Sequence, residues 1–157
     1  MATLNKQPIF TSTPILISQT IDPVKYQAGI YNPTTNNSGV DPLPVFTATD
    51  DYGTLIERIT VSACATILEP EVSEKYIYLF IYDTMVSGWN LYKSAYMPAV
   101  NIALPTLNPE IEWIFTGGLL LPDGYKIGFG ASENNGNSGY KGDYLAITIE
   151  GSSYSQP

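Results

Sequence analysis

The sequence predicts an all-β fold: a jelly-roll-like sandwich of about eight antiparallel strands preceded by an extended N-terminal arm. Three observations carry this. Twelve prolines and 13 glycines punctuate short apolar runs at roughly ten-residue spacing, as turns punctuate strands. The runs alternate apolar with polar residues, and none keeps a helical period of useful length. The chain of 157 residues has the size of one ordinary domain with a sizeable core. The expected boundaries are an arm over residues 1–14, a sandwich over 15–151 and a short polar tail over 152–157. An immunoglobulin-like sandwich is the alternative, but its Cys…Trp…Cys spacing is absent, since the chain has one cysteine, Cys64.

Each element has its own reason. The arm carries Pro8 and Pro14 with the apolar anchors Ile9 and Phe10. In "PILISQTI" (14–21), Ile15, Ile17, Gln19 and Ile21 share one face, a strand pattern. "AGIYNPTTNNSG" (28–39) reads as a short strand entering a turn-rich loop, and Asp50-Asp51-Tyr52-Gly53 as a turn. "LIERITVSACATI" (55–67) is expected to be the longest strand. Glu57 interrupts its apolar face, which implies an edge, a bulge or a pairing with Arg58. "KYIYLFIYD" (75–83) is apolar on both faces, with Tyr76, Tyr78, Phe80 and Tyr82 on one and Ile77, Leu79 and Ile81 on the other. A strand of that kind is covered on both sides. "WNLYKSAYM" (89–97) follows a hairpin at Ser87-Gly88. "IEWIFTGG" (111–118) and "GYKIGFGAS" (124–132) flank Leu119–Leu121 and Pro-Asp-Gly, a tight turn. Beyond it Tyr125, Ile127 and Phe129 face one side, and Lys126, Gly128 and Gly130 the other. "DYLAITIE" (143–150) closes the domain.

Composition narrows the function classes. Charged residues are 14%, against about 25% in ordinary soluble domains, and twelve tyrosines supply amphipathic surface suited to interfaces. The seven basic residues are scattered in a chain of net charge −8, which argues against a nucleic-acid partner and against an anionic membrane. No apolar run approaches the ~20 residues that cross a bilayer. "MATLNKQPIF" lacks the pattern of a secretory signal, so synthesis in a reducing cytoplasm is expected. Cys64, in an apolar strand, reads as a small core residue.

Without histidine the chain lacks the commonest general base and metal ligand. Phosphate-loop and dinucleotide-binding motifs are absent. No cofactor or metal is expected. A glycosidase would need a facing carboxylate pair drawn from Asp50, Asp51, Asp83, Glu110, Glu112, Asp123 and Asp143. Most of these lie in turn-rich sequence, where Asp bonds its own backbone. Asp50-Asp51 match no EF-hand calcium loop. No enzymatic activity is expected. The loop "SENNGNSGYKGD" (132–143) offers amide and aromatic groups, Asn134, Asn135, Asn137 and Tyr140, of the kind that bind sugars on a rigid scaffold.

The ordered series "YGTLIERITVSACATI", "YIYLFIYD", "WNLYKSAYMPAV", "GGLLLPDGYKIGFGAS" and "GDYLAITIEG" resembles small β-sandwich virion proteins of tailed bacteriophages, especially capsid decoration (cement) proteins. The resemblance covers residues 53–151 as a pattern of apolar and turn positions. The 132–143 insertion and the tyrosine-rich strand depart from it. It implies no catalytic residue. It does imply a homotrimer on the outer capsid surface that bridges neighbouring copies of the major capsid protein. In that setting Pro8, Ile9 and Phe10 of the arm, and Tyr76, Tyr78 and Tyr82 of the exposed strand, are the expected contact residues. The alternative is a tail- or fibre-associated carbohydrate-binding module that uses the 132–143 loop.

Overall fold

A computed structural model describes residues 11–21, 42–49, 52–64, 71–72, 74–101, 109–133 and 144–155. Ten strands follow in chain order: β1 (Thr11–Ile21), β2 (Leu43–Thr47), β3 (Thr54–Cys64), β4 (Glu71–Val72), β5 (Lys75–Asp83), β6 (Gly88–Met97), β7 (Val100–Asn101), β8 (Glu110–Leu121), β9 (Lys126–Glu133) and β10 (Tyr144–Ser155). Eight of them build two four-stranded sheets. Sheet A has the order β1-β10-β3-β8 and sheet B the order β2-β9-β5-β6, while β4 and β7 form a small separate pair. All pairings are antiparallel. The expected β-sandwich is therefore the observed architecture. The pairs nest: β5 with β6, then β3 with β8, β2 with β9 and β1 with β10.

The core lies between the sheets. Ile59, Val61, Leu145, Ile147 and Ile149 of sheet A meet Ile77, Leu79, Ile127 and Phe129 of sheet B, all at 0–1% exposure. Alternation along each strand aims these side chains inward, and burying each contributes about 1.5–3 kcal/mol. Trp113 of β8 stacks across the gap on Phe129 of β9, with centroids 6.3 Å apart.

Several sequence expectations change in detail. β1 begins at Thr11, and Thr11–Pro14 pair with Ser155–Ser152, so residues 11–14 belong to the sandwich rather than to an arm. β10 correspondingly continues to Ser155 and takes up most of the expected tail. Pro14 is tolerated because β1 is an edge strand among the described residues. β8 and β10, at 12 residues each, exceed the 11 of β3. β2 goes unrecognised in the sequence because Pro42 and Pro44 flank and enter it. Among the described residues it is a five-residue edge strand whose register shifts between Pro44 and Phe46, the setting in which proline fits a sheet. The strand expected within 28–39 lies outside the described residues.

Glu57 marks a bulge. Arg58 pairs with Glu150 and Ile56 with Gly151, which leaves Glu57 without an opposite residue. The extra residue restores the inward aim of Ile59, Val61 and Ala63 after that of Ile56. Facing it, β8 leaves register between Ile114 and Leu119, where Gly117 and Gly118 take φ of 82° and 80°. β3 is therefore an interior strand, not an edge.

The Pro-Asp-Gly motif carries the chain from sheet A to sheet B. The Tyr125 amide donates to the Pro122 carbonyl at 3.1 Å, and Gly124 has φ of 79°, the positive value that a type II turn needs at this position. Reciprocal backbone bonds to Ala48, from Gly124 N (2.8 Å) and to Tyr125 O (2.9 Å), fasten the corner beyond the end of β2.

Candidate functional site

The two outer sheet faces and the ends of the strands hold the candidate surfaces. On sheet B, Ile77 and Leu79 enter the core, so Tyr76, Tyr78, Phe80 and Tyr82 project outward. They form a continuous aromatic run. Tyr76 and Tyr78 stack at 6.5 Å, Tyr78 and Phe80 meet at 6.4 Å, and Tyr76 meets Tyr96 of β6 at 5.4 Å. Tyr82 meets Trp89 edge-on at 5.3 Å, and the Lys126 ammonium lies 5.1 Å from the Tyr82 ring centroid. Aromatic pairs of this kind contribute about 0.5–1.5 kcal/mol beyond their buried area. Gly128 makes the run possible, because a Cβ there would lie 2.6 Å from the Trp89 ring. The first glycine of "KIGFG", Gly128, is thus explained by an aromatic ring lying on the strand backbone.

This face is a covered layer rather than an open one. Tyr78 and Phe80 are 6% and 3% exposed within the single chain. Tyr82 is half-buried, and Tyr76 remains open at 38%. The expectation that Tyr76, Tyr78 and Tyr82 make one open contact strand is corrected accordingly. β5 lies between β9 and β6; on the β9 side Tyr78 and Phe80 pair with Gly130 and Gly128, and on the β6 side with Ser94 and Leu91. Pro8, Ile9 and Phe10 lie outside the described residues, as do Asn134, Asn135, Asn137 and Tyr140.

β6 adds Tyr96 to this run, whereas the Tyr92 ring lies 6.1 Å from that of Phe115 in β8. Leu91, Tyr92 and Tyr96 are 43–45% exposed, and β6 bulges at Tyr92, where the register jumps from Leu79–Lys93 to Phe80–Leu91. The Tyr96 hydroxyl donates to Glu74 at 2.5 Å, and that bond raises the phenol's pKa above its ordinary value. Lys93 turns its ammonium toward Phe115, 4.9 Å from the ring centroid.

At one end, the hairpin between β5 and β6 is locked to the corner. Asp83 Oδ1 accepts the Tyr125 hydroxyl and the Met85 amide, both at 2.7 Å. The Tyr125 bond, then the backbone bond, holds the Asp83 carboxyl below the ordinary carboxylate range. The same hydrogen bond raises the Tyr125 phenol. Ser87 adopts φ of 50°, and the turn presents Met85 and Val86 at 87% and 68% exposure.

The outer face of sheet A is polar. Arg58 binds Glu150 through Nε (3.0 Å) and an Nη (2.5 Å), and Glu112 through the other Nη (3.3 Å). Glu150 and then Glu112 hold the guanidinium in its charged form. Ser62 donates to Glu110 at 3.1 Å. Threonine and serine fill the rows between, and Leu16 and Ile114 flank the cluster. Glu112 and Glu150 thus share a cation and do not face each other across a gap, as a glycosidase pair would. Among the described residues no group of three potential metal ligands occurs. Asp50, Asp51 and Asp143 lie outside them.

The exposed set Leu91, Tyr92 and Tyr96 was not singled out from the sequence. Its signal was present: β6 holds a single charged residue, Lys93. Compared with known protein families, characterised proteins and solved structures, the chain shows no match.

Proposed function

We propose that this chain is a structural virion protein, a capsid decoration (cement) protein of a tailed bacteriophage. It would be made in the host cytoplasm and sit on the outer capsid surface, where it associates with copies of itself and bridges subunits of the major capsid protein. The supporting observation is a rigid two-sheet frame that leaves large apolar side chains in the open, in a chain with little charge. Leu16, Met85, Val86, Ile114 and Leu120 are each more than half exposed. Large apolar groups on a fixed scaffold suit protein contact. The nested strand pairing supports a jelly-roll winding, which suits virion shells. Binding confined to the assembled shell stabilises that shell by mass action.

Co-sedimentation of the purified chain with assembled, undecorated phage shells and with free capsid protein tests this reading. The expected result is saturable binding to shells, a higher shell melting temperature, and weak binding to free subunits. Absence from the shell pellet at saturating concentration would contradict it. Deleting residues 1–10, and stopping before the paired Thr11, should weaken shell binding while preserving the melting temperature of the sandwich.

A further inference from the structure

We infer that the outer face of sheet A is the side that meets the shell, and that its occupant is a basic, partly apolar surface of the capsid protein, an inference that rests on the proposed reading and names its docking face.

The face is built across four strands. Leu16 of β1 pairs with Glu150 of β10, Glu150 with Arg58 of β3, and Arg58 with Ile114 of β8. One row thus sets an ion cluster between two aliphatic side chains, Leu16 and Ile114, 72% and 63% exposed at its ends. Arg58 is held by both Glu150 and Glu112, so its charge is committed within the face. Glu110 of β8 and Glu57 at the bulge of β3 are exposed as well, which gives four carboxylates to one guanidinium. The strands are 11 or 12 residues long. At about 3.3 Å per residue and about 4.8 Å between strands they make a face of roughly 700 Å². A standard interface takes about 800 Å² per partner.

The occupant follows from charge. The lysines among the described residues, Lys75, Lys93 and Lys126, all lie in sheet B, so the outer face of sheet A keeps a net negative field. Such a field attracts a cationic partner and repels phosphate, which sets aside nucleic acid and anionic membrane. A second copy is a poor source of cations among the described residues. Its own sheet A is equally acidic, its Lys75 is 3% exposed, and its Lys93 and Lys126 ammonium groups lie over the rings of Phe115 and Tyr82. The aliphatic ends of the row add what charge alone lacks. Apolar contact supplies affinity, while complementary charge sets orientation and on-rate.

Co-sedimentation of the full-length chain with assembled, undecorated phage shells, from about 50 to about 500 mM NaCl, tests this. The expected result is binding that weakens as salt rises. Glu57→Gln combined with Glu110→Gln should lower the affinity and flatten that salt dependence. Ile114→Lys and Leu16→Lys should each weaken binding at least about tenfold, and Leu91→Lys, on sheet B, should bind as wild type does. Circular dichroism melting establishes that each variant is folded, and the two aliphatic substitutions guard against one failing to fold. Wild-type binding that is indifferent to salt, or that survives both Ile114→Lys and Leu16→Lys, would overturn the inference and leave the proposed function standing. So would a loss in Leu91→Lys as complete as in Ile114→Lys. Light scattering that shows the free chain associating, with association lost in Ile114→Lys, would assign the face to a second copy and overturn the inference as well. No wild-type binding at any salt concentration would sink both.

Discussion

The two sheets share one core, yet their outer faces differ. On sheet B the outward residues of β5 are aromatic, and Tyr78 and Phe80 are nearly as buried as the core itself. On sheet A the outward residues are threonine, serine and a charged cluster, and Ile114 stands 63% exposed among them. The contrast shows how burial on one side or both is written into sequence. A strand with one solvated face alternates, whereas a strand covered on both faces reads as a continuous apolar run. "EIEWIF" in β8 is the first kind and "YIYLFIY" in β5 is the second.

The sharpest way to break this comparison is to truncate one residue from each outer face. Phe80→Ala should behave as a core deletion and lose about 3–5 kcal/mol. Ile114→Ala should stay within about 0.5 kcal/mol of wild type. Urea unfolding midpoints read both, and equal losses would mean that the outer faces are alike. Gly128→Ala comes next. Its Cβ pushes on Trp89, and such overpacking costs about 1–3 kcal/mol. The same variant should shift the Trp fluorescence spectrum as the ring leaves the strand.

A gain is expected on the other sheet. Thr54 begins β3, and its Oγ1 is buried without a hydrogen-bond partner. An unsatisfied buried hydroxyl costs about 1–3 kcal/mol, so Thr54→Val, of nearly the same shape, should raise the melting temperature.

The smallest effect concerns the locked hairpin. Because folding lowers the Asp83 pKa, its contribution to stability is fully present above the unfolded value of about 3.9. It is lost as pH falls through the lower folded value. Asp83→Asn should therefore melt below wild type at neutral pH, and the gap should close in acid below about pH 4. A gap constant from pH 7 to pH 2 would contradict the assigned hydrogen bond.

Much of the fold was legible in local pattern. The alternation of Leu145, Ile147 and Ile149, the two-faced β5, the corner at Pro122–Gly124 and the irregularity at Glu57 all appear as spacing along one strand. What was not legible depends on partners far away in sequence. β2 is disguised by its prolines, which fit because β9 pairs one side of it and leaves the other as an edge. β1 extends back to Thr11 because β10 runs forward to Ser155, a pairing that no local signal announces. Tyr76, Tyr78 and Tyr82 are equivalent by alternation. Their exposures differ because exposure depends on what lies beside each ring. For the same reason the sequence pointed to the tyrosines of β5 as the contact strand, while the structure leaves more open surface on β6, whose scarcity of charge was the available clue.

Tyrosine nitration of dilute protein, mapped by mass spectrometry, reads the exposure of each ring separately. At issue is whether the chain itself covers the middle of its aromatic face and leaves Tyr92 and Tyr96 open. Tyr92 and Tyr96 should be nitrated, while Tyr78, 6% exposed, stays unreactive. Nitration of Tyr78 in dilute protein as fast as that of Tyr96 would contradict it, because the β5 face would then be open in the single chain.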